Sequence, residues 1–241
     1  MQREKVRLHG IKIFADGADF QTMVALARDP MIHGLTTNPT LMRKAGISDY
    51  RAFCREVLAN VKDKPISFEV FADEFPEMRR QALEIASWGP NVYVKIPITN
   101  SYGLSSYELI ADLAATGVKL NVTAVLTLEQ VFRSSAALHK GPPSIVSVFA
   151  GRIADTGIDP VPQMIAALDI CRNADEHIEL LWASPRELLN VVQADQIGCD
   201  IITVTPDLIK KLAFLGKSLK EFSLETVQMF KKDAEIAGYR L

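Results

Sequence analysis

The sequence has little of several features that mark particular classes of protein. It contains 3 cysteines in 241 residues, an odd number, and each lies in an apolar segment. Cys54, Cys171 and Cys199 are therefore expected to be buried thiols in a reducing compartment, not a disulfide framework. Neither sign of charge dominates, since 27 Lys and Arg residues stand against 29 Asp and Glu residues, for a net charge of -2. No basic field indicates binding to nucleic acid or to a membrane surface.

Long apolar segments and metal-binding patterns are lacking too. No apolar run approaches the roughly 20 residues that span a bilayer, and residues 1–10 lack the apolar segment of a signal peptide. We therefore expect a cytoplasmic protein with no membrane contact. The histidines are scattered without metal-ligand spacing, so no metal site is predicted. They are His9, His33, His139 and His177.

Short apolar runs alternate with amphipathic segments from end to end of the chain. Most of the runs are apolar on both alternations, as parallel strands buried on both faces require. The predicted strands are Ile11–Asp16, Gly34–Thr37, Ile66–Phe71, Val92–Ile96, Leu120–Val125, Ile145–Ala150, Ile178–Ala183 and Ile201–Thr205. The predicted helices include Asp49–Val61, Glu74–Ala86, Leu104–Ala115, Leu128–Leu138, Val161–Cys171 and Leu219–Ile236. The predicted helix starts are Ser48-Asp49, Asn100-Ser101, Thr127 and Ser184-Pro185.

Eight βα units form either a closed barrel or an open, doubly wound sheet. No G-x-G-x-x-G follows the first strand, which weakens the dinucleotide-binding alternative, and the even spacing of the units favours the barrel. We predict one α/β domain over residues 1–241, a (β/α)8 TIM barrel with an additional C-terminal helix. The chemistry of such barrels lies at the carboxyl ends of the strands. The polar residues predicted there are Asp16, Thr36, Thr37, Asn38, Glu69, Lys95, Asn121, Thr123, Ser147, Arg152, Ser184, Thr203 and Thr205.

Lys95 is the most conspicuous of these residues. It lies within the apolar run V-Y-V-K-I-P-I, where burial disfavours the charged ammonium form. A neutral amine is what nucleophilic attack on a carbonyl needs. The alternative is a structural lysine paired with a buried carboxylate such as Glu69 or Asp16, because structural ion pairs also perturb pKa values.

Asp16 and Glu69 end or interrupt apolar strands and are expected to converge on Lys95. One could act as a general base towards a substrate hydroxyl while the other handles a water molecule. Either could instead cap the following helix. Asn38 precedes Pro39, and an Asn-Pro turn explains it without any function.

Five motifs occur in order along the chain. They are T-T-N-P-T (Thr36 to Thr40), V-K-I-P (Val94 to Pro97), L-N-V-T (Leu120 to Thr123), F-A-G-R-I (Phe149 to Ile153) and C-D-I-I-T (Cys199 to Thr203). Together they resemble the motifs of the transaldolase and fructose-6-phosphate aldolase family, and the resemblance covers nearly the whole chain. It implies a barrel enzyme that forms a Schiff base with a ketose and, because the imine is the electron sink, requires no metal or organic cofactor.

The resemblance also implies the roles of the catalytic residues. Lys95 corresponds to the Schiff-base lysine on the fourth strand. Asp16 corresponds to the acid that deprotonates the C4 hydroxyl for cleavage of the C3–C4 bond. Glu69 and Thr123 correspond to the residues that hold the water used for proton transfer during imine formation.

The substrate-binding residues follow from the same resemblance. Asn38 and Asn121 would bind hydroxyls of the three-carbon intermediate, and Ser147 would line the site. Arg152 would meet a terminal anionic group, for which its guanidinium is suited. Phe149 stands where the aldolase branch has tyrosine and transaldolases have phenylalanine.

Two further comparisons with the family bear on the reaction and the substrate. Glu69 matches the transaldolases, because the aldolase branch has glutamine there. After the seventh strand, however, Leu181 and Ala183 occupy positions where the family has a serine and a basic residue of the phosphate site. Ser184 or Arg186 could substitute for them, or the sugar could have a different tail. Gly17 replaces the family's usual Thr or Ser.

We therefore predict a transaldolase that moves a dihydroxyacetone unit from a ketose such as fructose 6-phosphate to an aldose. The alternatives are an aldolase that releases free dihydroxyacetone, an enzyme for a sugar without the usual phosphate, and a barrel that has lost catalysis and binds a sugar phosphate as a sensor. The expected partners are sugar or sugar-phosphate substrates and further copies of the chain, since relatives form oligomers through C-terminal helices.

Overall fold

Eight parallel strands form a closed barrel in chain order. The computed structural model describes residues 8–240, and the barrel lies within the compact unit formed by residues 8–209. This confirms the predicted (β/α)8 fold. The strands are β1 Lys12–Asp16, β2 Ile32–Thr36, β3 Ile66–Glu69, β4 Val92–Pro97, β5 Leu120–Val125, β6 Ser144–Val148, β7 Ile178–Trp182 and β8 Ile201–Val204.

Helices alternate with the strands along the chain. Within residues 8–240 no helix is both long and apolar enough to cross a membrane. The helices are α1 Phe20–Ala27, α2 Pro39–Lys44, α3 Tyr50–Asn60, α4 Phe75–Ala86, α5 Tyr107–Ala115, α6 Leu128–Leu138, α7 Ala150–Asp155, α8 Pro160–Ala174, α9 Leu188–Gln196, α10 Pro206–Lys211 and α11 Leu219–Ala237, with a 3₁₀ turn at Leu212–Phe214.

Two of the predicted helix starts are wrong. The Asn100 side chain accepts hydrogen bonds from the backbone N–H groups of Tyr102 and Leu104, at 3.1 and 2.9 Å, so it closes a turn and α5 begins only at Tyr107. After β7, α9 begins at Leu188, not beside Ser184-Pro185. Asp49 and Thr127 cap α3 and α6 as predicted.

The floor of the barrel is apolar and close-packed. Phe14, Ile145, Leu181 and Ile201 form one buried cluster. Side chains two residues apart on a strand point to the same face. The residues two positions after this cluster therefore share its face, and they are Asp16, Ser147, Ala183 and Thr203. The ring of Phe14 stands against Gly34 on β2, where a Cβ atom would lie only 2.5 Å from Phe14 Cζ. Glycine at this position therefore makes room for the ring that closes the barrel beneath the polar layer.

Residues 210–240 belong to a second compact unit. Its main element is α11, a helix of 19 residues whose first turn is capped by the Ser218 hydroxyl. Several of its large apolar side chains are exposed, among them Leu219, Val227 and Phe230.

Candidate active site

A cavity of about 530 Å³ opens at the carboxyl ends of the strands. This is the end at which TIM barrels carry their active sites. All nine site residues predicted from the sequence line it, so the strands bring together groups that are far apart in the chain. They are Asp16, Asn38, Glu69, Lys95, Asn121, Thr123, Ser147, Phe149 and Arg152.

Lys95 lies on β4 and is only 6% exposed. Its Nζ donates to the backbone carbonyl of Thr37 at 2.9 Å and lies 3.1 Å from Glu69 Oε2. Glu69 and Lys95 are direct neighbours in the register of β3 and β4. The pairing with Glu69 that the sequence allowed is therefore present, and both side chains line the cavity, where a ligand could reach the amine.

Asp16 lies at the end of β1 with its carboxylate turned into the cavity. Oδ1 accepts a hydrogen bond from Thr36 Oγ1 at 2.8 Å, and Thr36 Oγ1 lies 2.5 Å from Thr203 Oγ1. Burial raises the pKa of Asp16 above its ordinary value, an effect partly offset by the positive charge of Lys95 and the Thr36 hydrogen bond. The cap of α1 is Asp19. Asp16 is therefore free of a capping role and suited to exchange protons with a ligand.

A chain of polar side chains crosses the base of the cavity. Ser147 Oγ donates to Asn121 Oδ1 at 2.7 Å, and Asn121 Nδ2 donates to Ser67 Oγ at 3.0 Å. Asn121 is fully buried, and the two serines fix which way its amide points. Ser67 was not predicted from the sequence; the available signal was its place two residues before Glu69 on the same strand.

Asn38 has the structural role that its sequence context allowed. Its Oδ1 accepts from Leu41 N at 3.0 Å and so caps α2. The side chain also lines the cavity, and its amide group still has two hydrogens to donate. Capping fixes the orientation in which these donors meet a ligand.

Thr123 lies on a distorted part of β5. The next residue, Ala124, has a φ of 60°, and the pairing of β5 with β6 shifts register between Val122 and Val125. Such a bulge re-aims side chains and is common beside active sites. Among residues 8–240 the buried Thr123 hydroxyl has no hydrogen-bond partner, as expected of a group that meets a ligand or water.

The outer rim of the cavity is formed by α7 and the loop after β7. Arg152 lies on α7 with its guanidinium carbon 5.7 Å from the Phe149 ring centroid. Gly151 packs so closely on this loop that a Cβ atom would lie 1.5 Å from the Ser184 carbonyl oxygen. Arg186 donates from Nε to Asp155 Oδ1 at 2.9 Å, and a second hydrogen bond joins its Nη2 to Oδ2.

The positions that depart from the family pattern lie in apolar surroundings. Leu181 and Ala183 belong to the buried apolar cluster, and although Ala183 also lines the cavity, neither side chain has a donor for an anion. Three cationic side chains line the cavity, those of Lys44, Arg152 and Arg186. Arg186 is paired with Asp155. Lys44 lies on α2 and was not predicted, because an exposed lysine at a helix end carries no signal of its own.

The fold and the cavity thus define a (β/α)8 protein with a buried lysine, two carboxylates and two amides at the catalytic end of the barrel. A family model described as Transaldolase/Fructose-6-phosphate aldolase matches residues 13–240. The chain belongs to this family.

Named relatives agree with this assignment. A "Probable transaldolase" of Dehalococcoides mccartyi is 35% identical over 194 residues, covering 80% of this chain and 86% of the relative. A protein of the same name from Brucella anthropi is 32% identical over 216 residues, covering 90% and 94%. A crystal structure from Burkholderia cenocepacia J2315 superposes with a TM-score of 0.57 at 15% identity, covering 95% of this chain and 85% of that one. At that identity the likeness shows the fold alone.

Proposed function

We propose that the protein is a transaldolase in which Lys95 forms a Schiff base with a ketose. The observation that carries the proposal is the position of the Lys95 amine, inside the cavity and 3.1 Å from a carboxylate. Attack on a carbonyl needs the free amine, and Glu69 lies within reach to take its proton. Asp16 lines the same cavity from β1.

The proposed reaction has three stages. Lys95 Nζ adds to the C2 carbonyl, and loss of water gives an imine, with Glu69 and Thr123 guiding the proton transfers. Asp16 then takes the proton of the C4 hydroxyl, and the C3–C4 bond breaks. C4 leaves as the carbonyl carbon of an aldehyde, and the electron pair of the broken bond moves into the imine to give an enamine. The enamine carbon then bonds to the carbonyl carbon of an acceptor aldehyde, whose oxygen takes the proton held by Asp16, and the imine is re-formed. Water hydrolyses this imine to release the new ketose and free Lys95.

The substrate is proposed to be a sugar phosphate. Asn38 and Asn121 present amide groups to the hydroxyls of the three-carbon unit, while Ser147 orients Asn121. Arg152 lines the cavity and has the guanidinium suited to a terminal phosphate, whereas Arg186 is paired with Asp155. Fructose 6-phosphate as donor and erythrose 4-phosphate as acceptor would give glyceraldehyde 3-phosphate and sedoheptulose 7-phosphate, as in the pentose phosphate pathway.

Phe149 favours transfer over simple aldol cleavage. A phenol at this position could protonate the enamine and release dihydroxyacetone, and a phenyl ring cannot. An assay of free dihydroxyacetone alongside sedoheptulose 7-phosphate separates the two reactions: release in the absence of acceptor at the rate of transfer would make the protein an aldolase.

Borohydride reduction tests the Schiff base. With fructose 6-phosphate the wild type should gain covalent mass on the peptide that contains Lys95, and Lys95→Met should gain none and have no turnover. Lys44→Met is the matched control, because Lys44 also lines the cavity; it should still be modified at Lys95. Appreciable turnover by Lys95→Met would refute the mechanism, and binding without covalent mass in the wild type would favour a sensor.

We further propose that residues 1–241 act as one domain in a cytoplasmic enzyme. The three free, buried cysteines are in keeping with a reducing compartment. Exposed apolar side chains on α11 support assembly into a homo-oligomer, which light scattering would measure.

A further inference from the structure

Strand β3 extends beyond the end of its neighbour β2. The two strands are paired at Leu35 with Ile66 and at Thr36 with Ser67. The last rung is a hydrogen bond from Thr37 N to Ser67 O at 3.2 Å. After it the chain turns away into α2, so β3 loses its partner on this side just before Glu69.

The backbone of Glu69 faces the resulting gap. Alternate residues of a strand point their N–H and C=O groups to the same side. Pro65 accepts from Leu35 on β2, and Ser67 accepts from Thr37, the residue after β2. Val70, in contrast, donates to Lys95 O on β4. The N–H and C=O of Glu69 therefore point to where β2 would have continued.

The hydroxyl of Tyr50 fills this gap. It donates to Glu69 O at 2.8 Å and accepts from Glu69 N at 3.0 Å. One hydroxyl can do both, since it has one hydrogen to give and lone pairs to accept. The tyrosine thus takes the place of the missing strand residue, at the residue whose carboxylate is paired with Lys95.

The tyrosine ring is itself held in place. Tyr50 is the first residue of α3, and its ring packs edge-on against Phe71, with centroids 5.3 Å apart, and lies 6.3 Å from Trp88. Burial raises the pKa of the phenol far above its usual value, so the hydroxyl keeps its hydrogen at any working pH. The phenol therefore always has a hydrogen to donate to Glu69 O.

We infer that Tyr50 is a positioning residue for the Schiff-base chemistry, acting through Glu69. This inference rests on the proposed function. Fixing the backbone of Glu69 on both polar groups fixes the point from which its carboxylate reaches Lys95 Nζ. Tyr50 should therefore influence the rates of imine formation and imine hydrolysis, the steps in which Glu69 moves protons. Tyr50 should not influence the affinity for the sugar or the rate of C3–C4 cleavage, which depend on other groups.

The test is Tyr50→Phe, which keeps the ring and removes the hydroxyl. We expect kcat to fall about 10- to 100-fold, a part of what proton-transfer catalysis contributes, with an unchanged KM for the donor. The rate of borohydride-trapped imine formation should fall by the same factor. In a Glu69→Gln background the same change should have no further effect, because residues that act as a unit are not additive.

Phe71→Leu is the matched control. It removes the ring contact with Tyr50 from a side chain that is 61% exposed and leaves the hydroxyl in place, so kcat should be unchanged. An equal loss in Phe71→Leu, or a rise of KM in place of a fall in kcat, would show that Tyr50 serves packing alone and overturn the inference.

Hydrogen exchange provides a measurement that does not depend on how the variant folds. The Glu69 amide of the wild type should be protected as strand amides are, although its N–H is bonded to the Tyr50 hydroxyl and not to a strand carbonyl; rapid exchange would overturn the inference. Trapping distinguishes the two proposals: no imine in the wild type refutes the proposed function and this inference with it. A wild type that traps the sugar beside an equally fast Tyr50→Phe refutes this inference alone.

Discussion

Gly151→Ala is the substitution whose consequence follows most directly from geometry. The added Cβ would lie 1.5 Å from the Ser184 carbonyl oxygen and 2.6 Å from its carbon, whereas real Cβ atoms essentially never come within 3.0 Å of such an atom. The distance between residue 151 and the Ser184 carbonyl oxygen must therefore increase by at least 1.5 Å, the difference between 3.0 and 1.5 Å. Both contact atoms belong to backbone, so no side-chain rotation relieves the clash. Either α7, which carries Arg152, or the loop after β7 has to move.

Two effects of different size should follow. Overpacking of this kind costs about 1–3 kcal/mol of unfolding free energy, or about 2–4 °C in Tm for each kcal/mol in a chain of this length. Displacing a substrate-positioning group by about 1 Å costs on the order of 100-fold in rate. We therefore expect kcat/KM for fructose 6-phosphate to fall about 100-fold, a larger loss than the stability change implies.

Steady-state kinetics, thermal unfolding and borohydride trapping together check this prediction. Trapping at saturating sugar should persist, because Lys95 is held by Thr37 and Glu69 and not by α7. Gly17→Ala is the control: it lies at the same mouth, and its Cβ would meet nothing within 4 Å, so both kcat/KM and Tm should stay at wild-type values. A Gly151→Ala variant with wild-type kcat/KM would show that the close approach to Ser184 does not position the site.

Two further predictions concern Asp16 and Arg152. Burial raises the pKa of Asp16 in the folded protein, so the folded state holds this proton more tightly and stability falls as pH rises through the raised pKa. Asp16→Asn should therefore have a higher Tm than the wild type at pH 7, with the difference vanishing below the unfolded pKa of about 3.9; a constant difference across pH would contradict this cause. In Arg152→Gln, loss of a charge-assisted hydrogen bond worth about 1.5–3 kcal/mol should lower kcat/KM for fructose 6-phosphate about 10- to 150-fold and leave that for fructose unchanged. Equal losses for both sugars would remove Arg152 from the phosphate site.

The barrel could be predicted because its strands carry a strong signal. The predicted and observed bounds of β5 agree residue for residue at Leu120–Val125, since a strand buried on both faces has few polar positions. The same background made Lys95 and Asp16 stand out, because a charged residue in an apolar run needs an explanation. The wrong helix starts have the opposite origin: Asn100 has a capping side chain, and only the fold shows that it closes a turn instead.

Contacts with distant backbone could not be predicted. Tyr50 looks like an ordinary residue of an amphipathic helix, and its role depends on where β2 ends and which way the Glu69 backbone points. Gly151 is likewise explained only by the carbonyl of Ser184. Patterns of side-chain polarity carry no information on such partners, because backbone groups are the same at every position.

Because all three cysteines are buried, chemical labelling of their thiols can be used to follow local unfolding of the barrel. Burial raises the pKa of Cys171 to about 11, that of Cys199 to about 12 and that of Cys54 as well, so at neutral pH almost none of their sulfur is in the reactive thiolate form. Because all three side chains are also buried, a maleimide or iodoacetamide can modify a thiol only after the structure around it has opened. The three lie on α3, on α8 and just before β8, so the order in which they become labelled would show which sector of the barrel comes apart first.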